Sequence, residues 1–287
     1  MMCPMTTQTN ASQAGSINLG DLTVHRLGFG AMRICSGYAW GMPKDRPAAL
    51  QVLQRVVALG VNFIDTADSY GPEVSETLIA EALHPYPAGV VIATKGGYTR
   101  PNEGSWVANG RPDHLRKALE GSLKRLRLDC IDLYQFHTPD SRVPFADSVG
   151  ALAEMQRAGK IRHIGLSSIS VKQLDEARRI APIVSVQNHY NYEDQGDDDV
   201  LAACERLGIA FIPWYPLGAG QSLKSAKLKK VALQHGATTA QVALAWLLAR
   251  SPVMLPIPGT GKLAHLDENV GAVGLKLSTE EMTTVGR

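Results

Sequence analysis

The chain has 287 residues, of which 45% are hydrophobic and 20% are charged, a composition typical of a globular protein with a large core. Its 29 basic and 27 acidic residues give a net charge of +2 without a basic stripe, so we expect no nucleic-acid partner. The absence of a run of about 18 apolar residues excludes a membrane span, and four widely spaced cysteines favour a reducing, cytoplasmic location without disulfides or a metal site.

The chain begins with a polar segment that lacks the apolar stretch of a signal peptide. We interpret residues 1–15 as a disordered tail and residues 16–287 as one domain. The domain opens with a predicted hairpin, in which Ile17–Leu19 and Thr23–His25 are joined by a turn at Gly20 and Asp21.

From Arg26 onward, short apolar runs alternate with amphipathic stretches. The predicted strands are Leu27–Gly30, Val61–Ile64, Val90–Thr94, Ile131–Phe136, Ile161–Leu166, Ile183–Val186, Ile209–Trp214 and Val253–Ile257. The predicted helices are Pro47–Leu59, Val74–Leu83, Pro112–Arg127, Pro144–Ala158, Val171–Ile180, Val200–Leu207, Ala226–His235, Thr239–Ala249, Leu263–Ala272 and Ser278–Val285. Eight strand–helix units in a chain of this length predict an α/β fold, a single (β/α)8 TIM barrel with an N-terminal hairpin and a short C-terminal helix.

An open, doubly wound sheet is the alternative fold. Such sheets usually carry a G-x-G-x-x-G motif after the first strand, and Gly28–Arg33 lacks its last glycine. The segment Pro258–Lys262 also lacks the distant glycine and the Ser or Thr of a phosphate-binding P-loop. The barrel is therefore favoured, and its active site is expected at the carboxyl ends of the strands.

Polar and aromatic residues do stand at these predicted strand ends. Asp65, Lys95 and His137 end three successive strands, and Tyr70 follows Asp65 in the first loop of the three. The later strands end in Ser167, Ser168, Gln187, Asn188, Trp214, Tyr215 and the segment Ile257–Thr260. Taken singly, each has an ordinary structural role, such as a turn cap for Asp65 or loop packing for Tyr70.

Lys95 is the residue least easily explained by structure alone, because lysine is rarely buried without a partner for its charge. Asp65 can pair with Lys95 across adjacent strands, and the ammonium then faces the hydroxyl of Tyr70. A nearby cation lowers the pKa of a tyrosine from about 10 toward neutrality. With His137 bonded to the same reacting oxygen, this arrangement predicts a proton donor for a developing alkoxide.

Seven sequence blocks occur in an order that resembles the aldo-keto reductases from about Leu19 to Asn269. The blocks are NFIDTADSYG, VIATKGG, DLYQFH, GKIRHIGLSSIS, VQNHYN, PWYPLGAG and LPIPGTGKLAHLDEN. A looser similarity, of low specificity, links the chain to the bacterial branch with pyridoxal-reductase-like enzymes. The resemblance implies an NADPH-dependent carbonyl reductase on a (β/α)8 barrel, with Tyr70 as general acid and Asp65, Lys95 and His137 completing a catalytic tetrad.

The resemblance also implies where NADPH or NADP+ binds. Ser167, Ser168 and Gln187 match ligands of the carboxamide, and Trp214 matches the aromatic residue that stacks on the nicotinamide. The other implied cofactor-binding residues are Gly30, Met32, Asp65, Tyr215, Leu217, Gly218, Gly259, Thr260, Lys262, His265, Glu268 and Asn269.

The chain departs from the family pattern at the adenosine phosphate. Gly259 stands where many relatives carry a lysine and His265 where many carry an arginine, which leaves Lys262 as the nearest cation. A helix start after Thr260 still favours a phosphate, so NADPH is expected over NADH. The chain also ends soon after its final helix, so we expect the walls of the substrate pocket to come from 34–43, 97–111 and the loop after Trp214. The aromatic residues of the first two segments are Tyr38, Trp40, Tyr98 and Trp106.

Two other functions are compatible with the motifs. Lys95 could be the nucleophile of a Schiff-base lyase. The carboxylate of Asp65 beside it would keep the amine protonated, which disfavours this function. A non-enzymatic NADPH-binding redox sensor is the other alternative. The expected partner is a small-molecule carbonyl substrate, bound by a monomer or weak homo-oligomer without nucleic acid or membrane; the native substrate is not encoded in any motif.

Overall fold

A computed structural model describes residues 9–37, 39–220 and 222–286. The predicted hairpin is present as β1 (Ser16–Leu19) and β2 (Leu22–His25), which pair in antiparallel register. The remaining strands are β3 (Phe29–Gly30), β4 (Phe63–Asp65), β5 (Val91–Gly96), β6 (Tyr98–Thr99), β7 (Val107–Ala108), β8 (Ile131–Phe136), β9 (Ile161–Ser167), β10 (Ile183–His189) and β11 (Ala210–Trp214).

Seven of these strands form one parallel sheet in the order β11-β10-β9-β8-β5-β4-β3, so neighbours in the barrel series are neighbours in space. The short strands β6 and β7 form a separate antiparallel pair in the loop that follows β5. The predicted (β/α)8 architecture is confirmed.

The predicted eighth strand at 253–257 is an irregular segment rather than a continuous strand. It nevertheless closes the barrel: the amide of Phe211 donates to the carbonyl of Val253, and the amide of Gly28 donates to that of Pro256, both at 2.9 Å. The physical reason for the irregularity is that Pro256 and Pro258 have no N–H to give to a ladder.

The helices on the outside of the sheet match the apolar periodicity closely. They are α1 (Arg46–Ala58), α2 (Val74–Leu83), α3 (Pro112–Leu126), α4 (Phe145–Arg157), α5 (Val171–Arg178), α6 (Asp198–Leu207), α7 (Ala226–His235), α8 (Thr239–Arg250), α9 (Leu263–Gly271) and α10 (Thr279–Gly286). Ser170 and Thr238 begin α5 and α8 with capping boxes, and Gly208 ends α6 in the left-handed conformation. None of the described helices has the length and apolarity needed to cross a membrane.

The core has an outer layer between sheet and helices and an inner cluster inside the barrel. The inner cluster includes Phe63, Leu133 and Ile212 from barrel strands, together with Leu19 and Val24 from the hairpin. The hairpin therefore covers the amino-terminal end of the barrel, and the opposite rim, where the strands end, is left for the site.

The predicted disordered tail is wrong for residues 11–15. Ala11–Ala14 form a 3₁₀ helix, capped by the side chain of Asn10. Ala11 is fully buried, and its amide donates to the carbonyl of Leu59 at 2.9 Å. The small apolar surface of Ala11 is enough to anchor this segment on the end of α1; residues 1–8 lie outside the described part of the chain.

Candidate active site

The rim of the barrel brings together four of the residues at predicted strand ends and loops. Asp65 ends β4, Lys95 lies near the end of β5, His137 follows β8 and Tyr70 lies in the loop after β4. The Nζ of Lys95 donates to Oδ1 of Asp65 at 2.5 Å and to the hydroxyl of Tyr70 at 3.3 Å. Its third bond goes to the carbonyl of Thr66 at 2.9 Å, so all three protons of the ammonium have acceptors.

Lys95 is fully buried, and its charge state follows from its neighbours. Burial by itself lowers the pKa of Lys95 and is the largest single effect. The carboxylate of Asp65 and the oxygen of Tyr70 together outweigh burial and raise the pKa above its ordinary value. Lys95 is therefore an ammonium ion at neutral pH.

The expectation that Lys95 lowers the pKa of Tyr70 toward neutrality is wrong for the site as it stands. Burial raises the pKa of the phenol above its ordinary value, and the opposing effect of the Lys95 charge is smaller. The carboxylate of Asp65 also raises it. Tyr70 is therefore protonated at neutral pH, with a cation 3.3 Å from its oxygen.

His137 is buried beside the same tyrosine. Its Nδ1 lies 3.4 Å from the hydroxyl of Ser69, and its ring meets the ring of Tyr70 edge-on, with centroids 5.8 Å apart. Burial, with the nearby charges of Lys95 and Arg100, holds the pKa of His137 well below its ordinary value. The imidazole is therefore neutral, and a neutral imidazole can donate a hydrogen bond without adding charge to the site.

Asp65 is held by more groups than the sequence suggested. Its Oδ2 accepts from Nε2 of Gln135 at 2.8 Å and from Nε2 of Gln187 at 2.9 Å, while Lys95 occupies Oδ1. Gln187 also donates to Oε1 of Gln135 at 3.2 Å. The carboxylate is thus fixed by one ammonium and two amides, all buried.

Sequence reasoning overlooked Gln135, although a signal was available. Gln135 lies near the end of β8, and His137 follows two positions later, just after the strand. In extended backbone this spacing places both side chains on the same face. Gly165 on the neighbouring strand makes room for it, because a Cβ at position 165 would stand 2.9 Å from Cγ of Gln135. A glutamine within an apolar run is a weaker indication of function than a lysine. Gln135 nevertheless completes the hydrogen bonding of Asp65.

An open cavity of about 720 Å³ begins beside Tyr70 and extends along the rim. It contains most of the residues predicted to bind the cofactor: Gly30, Met32, Asp65, Gln187, Trp214, Tyr215, Leu217, Gly259, Thr260, Lys262, His265, Glu268 and Asn269. Ser167, Ser168 and Gly218 are not among its lining residues. Arg33, which the sequence did not single out, is one of them.

Two glycines allow backbone segments that line this cavity to touch each other. A Cβ at Gly30 would stand 2.7 Å from the carbonyl oxygen of Ile257, and a Cβ at Gly259 would stand 2.3 Å from the carbonyl oxygen of Gly30. The two backbone segments are therefore in direct contact, and no side chain fits between them. Thr260 and Lys262 follow, with the amide of Lys262 bonded to Oγ1 of Thr260 at 3.1 Å before α9 begins.

Aromatic rings form the other wall around Tyr70. Trp106 meets Tyr70 edge-on at 6.2 Å, and Tyr98 meets His137 edge-on at 4.7 Å. The guanidinium of Arg100 lies 3.8 Å from the ring centre of Trp106 and donates to the carbonyls of Ser69 and Ala39 at 3.0 and 3.3 Å. The rings of Tyr98 and Trp106 belong to the segment 97–111, which the sequence predicts as a wall of the substrate pocket; its residues are not among those that line the cavity. Trp40 contributes from the first loop, with the guanidinium of Arg100 5.3 Å from its ring centre. Tyr38 lies outside the described residues.

A parallel barrel with a buried lysine–aspartate pair against a tyrosine at its rim, beside an open cavity, is the arrangement expected of a (β/α)8-barrel enzyme. The model of the Aldo/keto reductase family matches residues 26–287, and the chain belongs to this family. Solved aldo-keto reductase structures from Klebsiella pneumoniae contain NADPH or NADP.

Named relatives and solved structures agree with this assignment. The chain is 45% identical to pyridoxine 4-dehydrogenase of Escherichia coli over 278 residues, which cover 95% of this chain and 97% of the relative. It is 49% identical over 272 residues to an uncharacterized oxidoreductase of Schizosaccharomyces pombe, covering 94% and 89% of the two chains. A thermostable aldo-keto reductase in complex with the inhibitor epalrestat superposes with a TM-score of 0.83 at 33% identity, covering 94% and 98%. An aldo-keto reductase from Klebsiella pneumoniae in complex with NADPH gives a TM-score of 0.78 at 25% identity, covering 92% and 90%.

Proposed function

We propose that the protein reduces an aldehyde or ketone to an alcohol, with Tyr70 as the proton donor. The observation that carries this proposal is the bonding of Lys95, whose ammonium contacts both Asp65 and the hydroxyl of Tyr70. When bound in the cavity, NADPH would be the source of a hydride for the carbonyl carbon. The carbonyl oxygen then takes the proton of the Tyr70 hydroxyl, and the negative charge left on the phenol lies beside Lys95.

The cavity has the properties that NADPH requires. Its volume of about 720 Å³ lies within the range of about 300–1,000 Å³ typical of small-molecule sites. Lys262 and the start of α9 supply positive potential for a phosphate. We propose that Trp214 packs on the nicotinamide next to Tyr70, and that Thr260, Lys262, His265, Glu268 and Asn269 surround the adenosine and its phosphate.

The position of His137 suits orientation of the carbonyl rather than proton supply. Its neutral imidazole lies edge-on to Tyr70 and can donate to the substrate oxygen from the other side. The bonding of Lys95 also weighs against a Schiff-base lyase, since an amine held as an ammonium by Asp65 has no free electron pair with which to attack a carbonyl.

We further propose that the carbonyl substrate is an aromatic aldehyde, with pyridoxal as the first candidate. The rings of Trp106 and His137 meet the ring of Tyr70 edge-on, and Tyr98 packs against both of them, so this cluster offers edges and faces to a flat ring. The relative from Escherichia coli is named for oxidation of pyridoxine at position 4, and the reverse of that reaction reduces an aldehyde on an aromatic ring.

The test is oxidation of NADPH by the purified protein with a panel of aldehydes and ketones that includes pyridoxal, benzaldehyde and a short aliphatic aldehyde. Tyr70→Phe should lower turnover of the preferred substrate by about 10²–10⁴-fold, while NADPH binding stays close to that of the parent protein. Near-normal turnover in Tyr70→Phe would remove Tyr70 as the proton donor. Tight NADPH binding without turnover of any carbonyl in the panel would favour a redox sensor instead.

A further inference from the structure

Arg33 lies at the phosphate end of the cavity, where sequence reasoning left Lys262 as the nearest cation. It belongs to the 3₁₀ helix Ala31–Ile34, which directly follows β3. Its side chain is exposed and lines the same cavity as Lys262 and His265. The fold therefore brings a second permanent positive charge to this end of the cavity.

The contact between Gly30 and Gly259 explains why the charge comes from position 33. A side chain at position 259 would begin 2.3 Å from a backbone oxygen, and backbone in the barrel floor cannot retreat from it. The Cγ of Arg33 lies 3.6 Å from the same point. Position 259 can therefore carry no cation without displacing the backbone, whereas the side chain of Arg33 passes directly beside it.

The charge of Arg33 is not used within the protein. Some other exposed arginines are paired, as Arg116 is with Glu154 at 2.6 Å. Across the described ranges, no carboxylate comes within 4.0 Å of the charged nitrogens of Arg33 or Lys262. The carboxylates that line the cavity are those of Asp65, which is already bonded to Lys95, and Glu268.

We infer that Arg33 is a phosphate-binding residue of the dinucleotide site. A guanidinium presents several N–H donors in a rigid, planar fork that matches two oxygens of one phosphate. Both the adenosine 2′-phosphate and the pyrophosphate have this chemistry. The inference rests on the proposed position of NADPH in the cavity, and it adds the residue that replaces a cation at position 259.

The experiment compares Arg33→Met and Arg33→Lys with Arg116→Met. The last variant removes one positive charge from an exposed ion pair outside the cavity and serves as the matched control. Binding of NADPH, NADH and 2′,5′-ADP is measured by calorimetric titration at fixed ionic strength, and thermal melts verify that each variant is folded. We expect Arg33→Met to weaken NADPH binding by about tenfold or more, Arg33→Lys to recover part of the loss, and Arg116→Met to bind like the parent protein.

The three ligands separate the two phosphates. If Arg33→Met weakens NADPH and 2′,5′-ADP but leaves NADH unchanged, Arg33 binds the 2′-phosphate. If it weakens NADPH and NADH equally and leaves 2′,5′-ADP unchanged, Arg33 binds the pyrophosphate. Binding of all three ligands equal to that of Arg116→Met overturns the inference while leaving the proposed function intact. A parent protein that binds no NADPH overturns both.

Discussion

Replacing Lys95 by methionine tests whether its charge serves catalysis, stability or both. Lys95→Met keeps most of the buried volume but removes the ammonium from between Asp65 and Tyr70. The exposed fractions of Lys95 and Asp65 are 0% and 1%, so water cannot replace the lost partner. Oδ1 of Asp65 then has no donor, while Gln135 and Gln187 still hold Oδ2.

The cost to stability follows from the burial of this pair. Removing one partner of a buried ion pair destabilises a protein by about 3–5 kcal/mol. With an unfolding entropy of about 2.1 cal/mol/K per residue, 287 residues give roughly 0.6 kcal/mol/K, so we expect the Tm of Lys95→Met to fall by about 5–8 °C. Typical domain stabilities of about 5–15 kcal/mol leave most of the protein folded at room temperature.

The cost to catalysis is measured separately in a double-mutant cycle. Asp65→Leu combined with Lys95→Met removes both charges, and replacing a buried pair by apolar groups is often neutral or stabilising. We expect the double variant to regain much of the lost Tm but none of the activity, which should stay at least about 100-fold below that of the parent protein. Normal turnover in folded Lys95→Met would refute the catalytic role and leave Lys95 as a structural partner of Asp65.

Three further predictions concern the same rim. Because burial raises the pKa of Tyr70, its protonated form should persist above pH 10. The value of kcat/KM for reduction should therefore stay level from about pH 7 to 10. An alkaline midpoint near pH 8 would contradict the raised pKa. NADPH should bind more tightly than NADH, and Lys262→Ala should reduce the margin by up to about tenfold; equal affinities in both proteins by parallel titration would show that Lys262 does not contact the phosphate. Gln135→Leu should lower kcat about tenfold or more, with little change in NADPH binding, because Asp65 loses one hydrogen bond. The control Gln156→Leu, on the outer helix α4, should leave kcat unchanged.

Much of the architecture could be predicted because it depends on local periodicity. The bounds of α2, α7 and β8 coincide with those predicted, and the other helices differ by one to a few residues at their ends. The segment 253–257 was placed correctly in the barrel but wrongly called a regular strand. Its apolar pattern is that of a strand, while Pro256 and Pro258 withhold the amides that a ladder needs.

What escaped prediction at the site depends on contacts between distant parts of the chain. Arg33 and Gly259 are far apart in sequence, and neither carries a motif that points to the other. Their proximity follows from the closure of the barrel, where the amide of Gly28 bonds to Pro256. Gln135 likewise gains its importance from Asp65 and Gln187, which lie on strands two positions away on either side of β8.

The predicted direction of the pKa shift of Tyr70 was wrong for a different reason. The observed direction, a raised pKa, is the more useful one for a proton donor. The charge of Lys95 is visible in the sequence, but the degree of burial that outweighs it is not. A donor must hold its proton until the carbonyl oxygen becomes basic, and burial ensures that Tyr70 does. In the proposed reaction, the ammonium 3.3 Å away would stabilise the phenolate when that charge forms. Gln135 and Gln187 donate to the other oxygen of Asp65, which reduces the repulsion between its carboxylate and the phenolate. The bonds that hold Asp65 and Lys95 in a buried position would therefore keep Tyr70 neutral before the transfer and stabilise its anion afterwards.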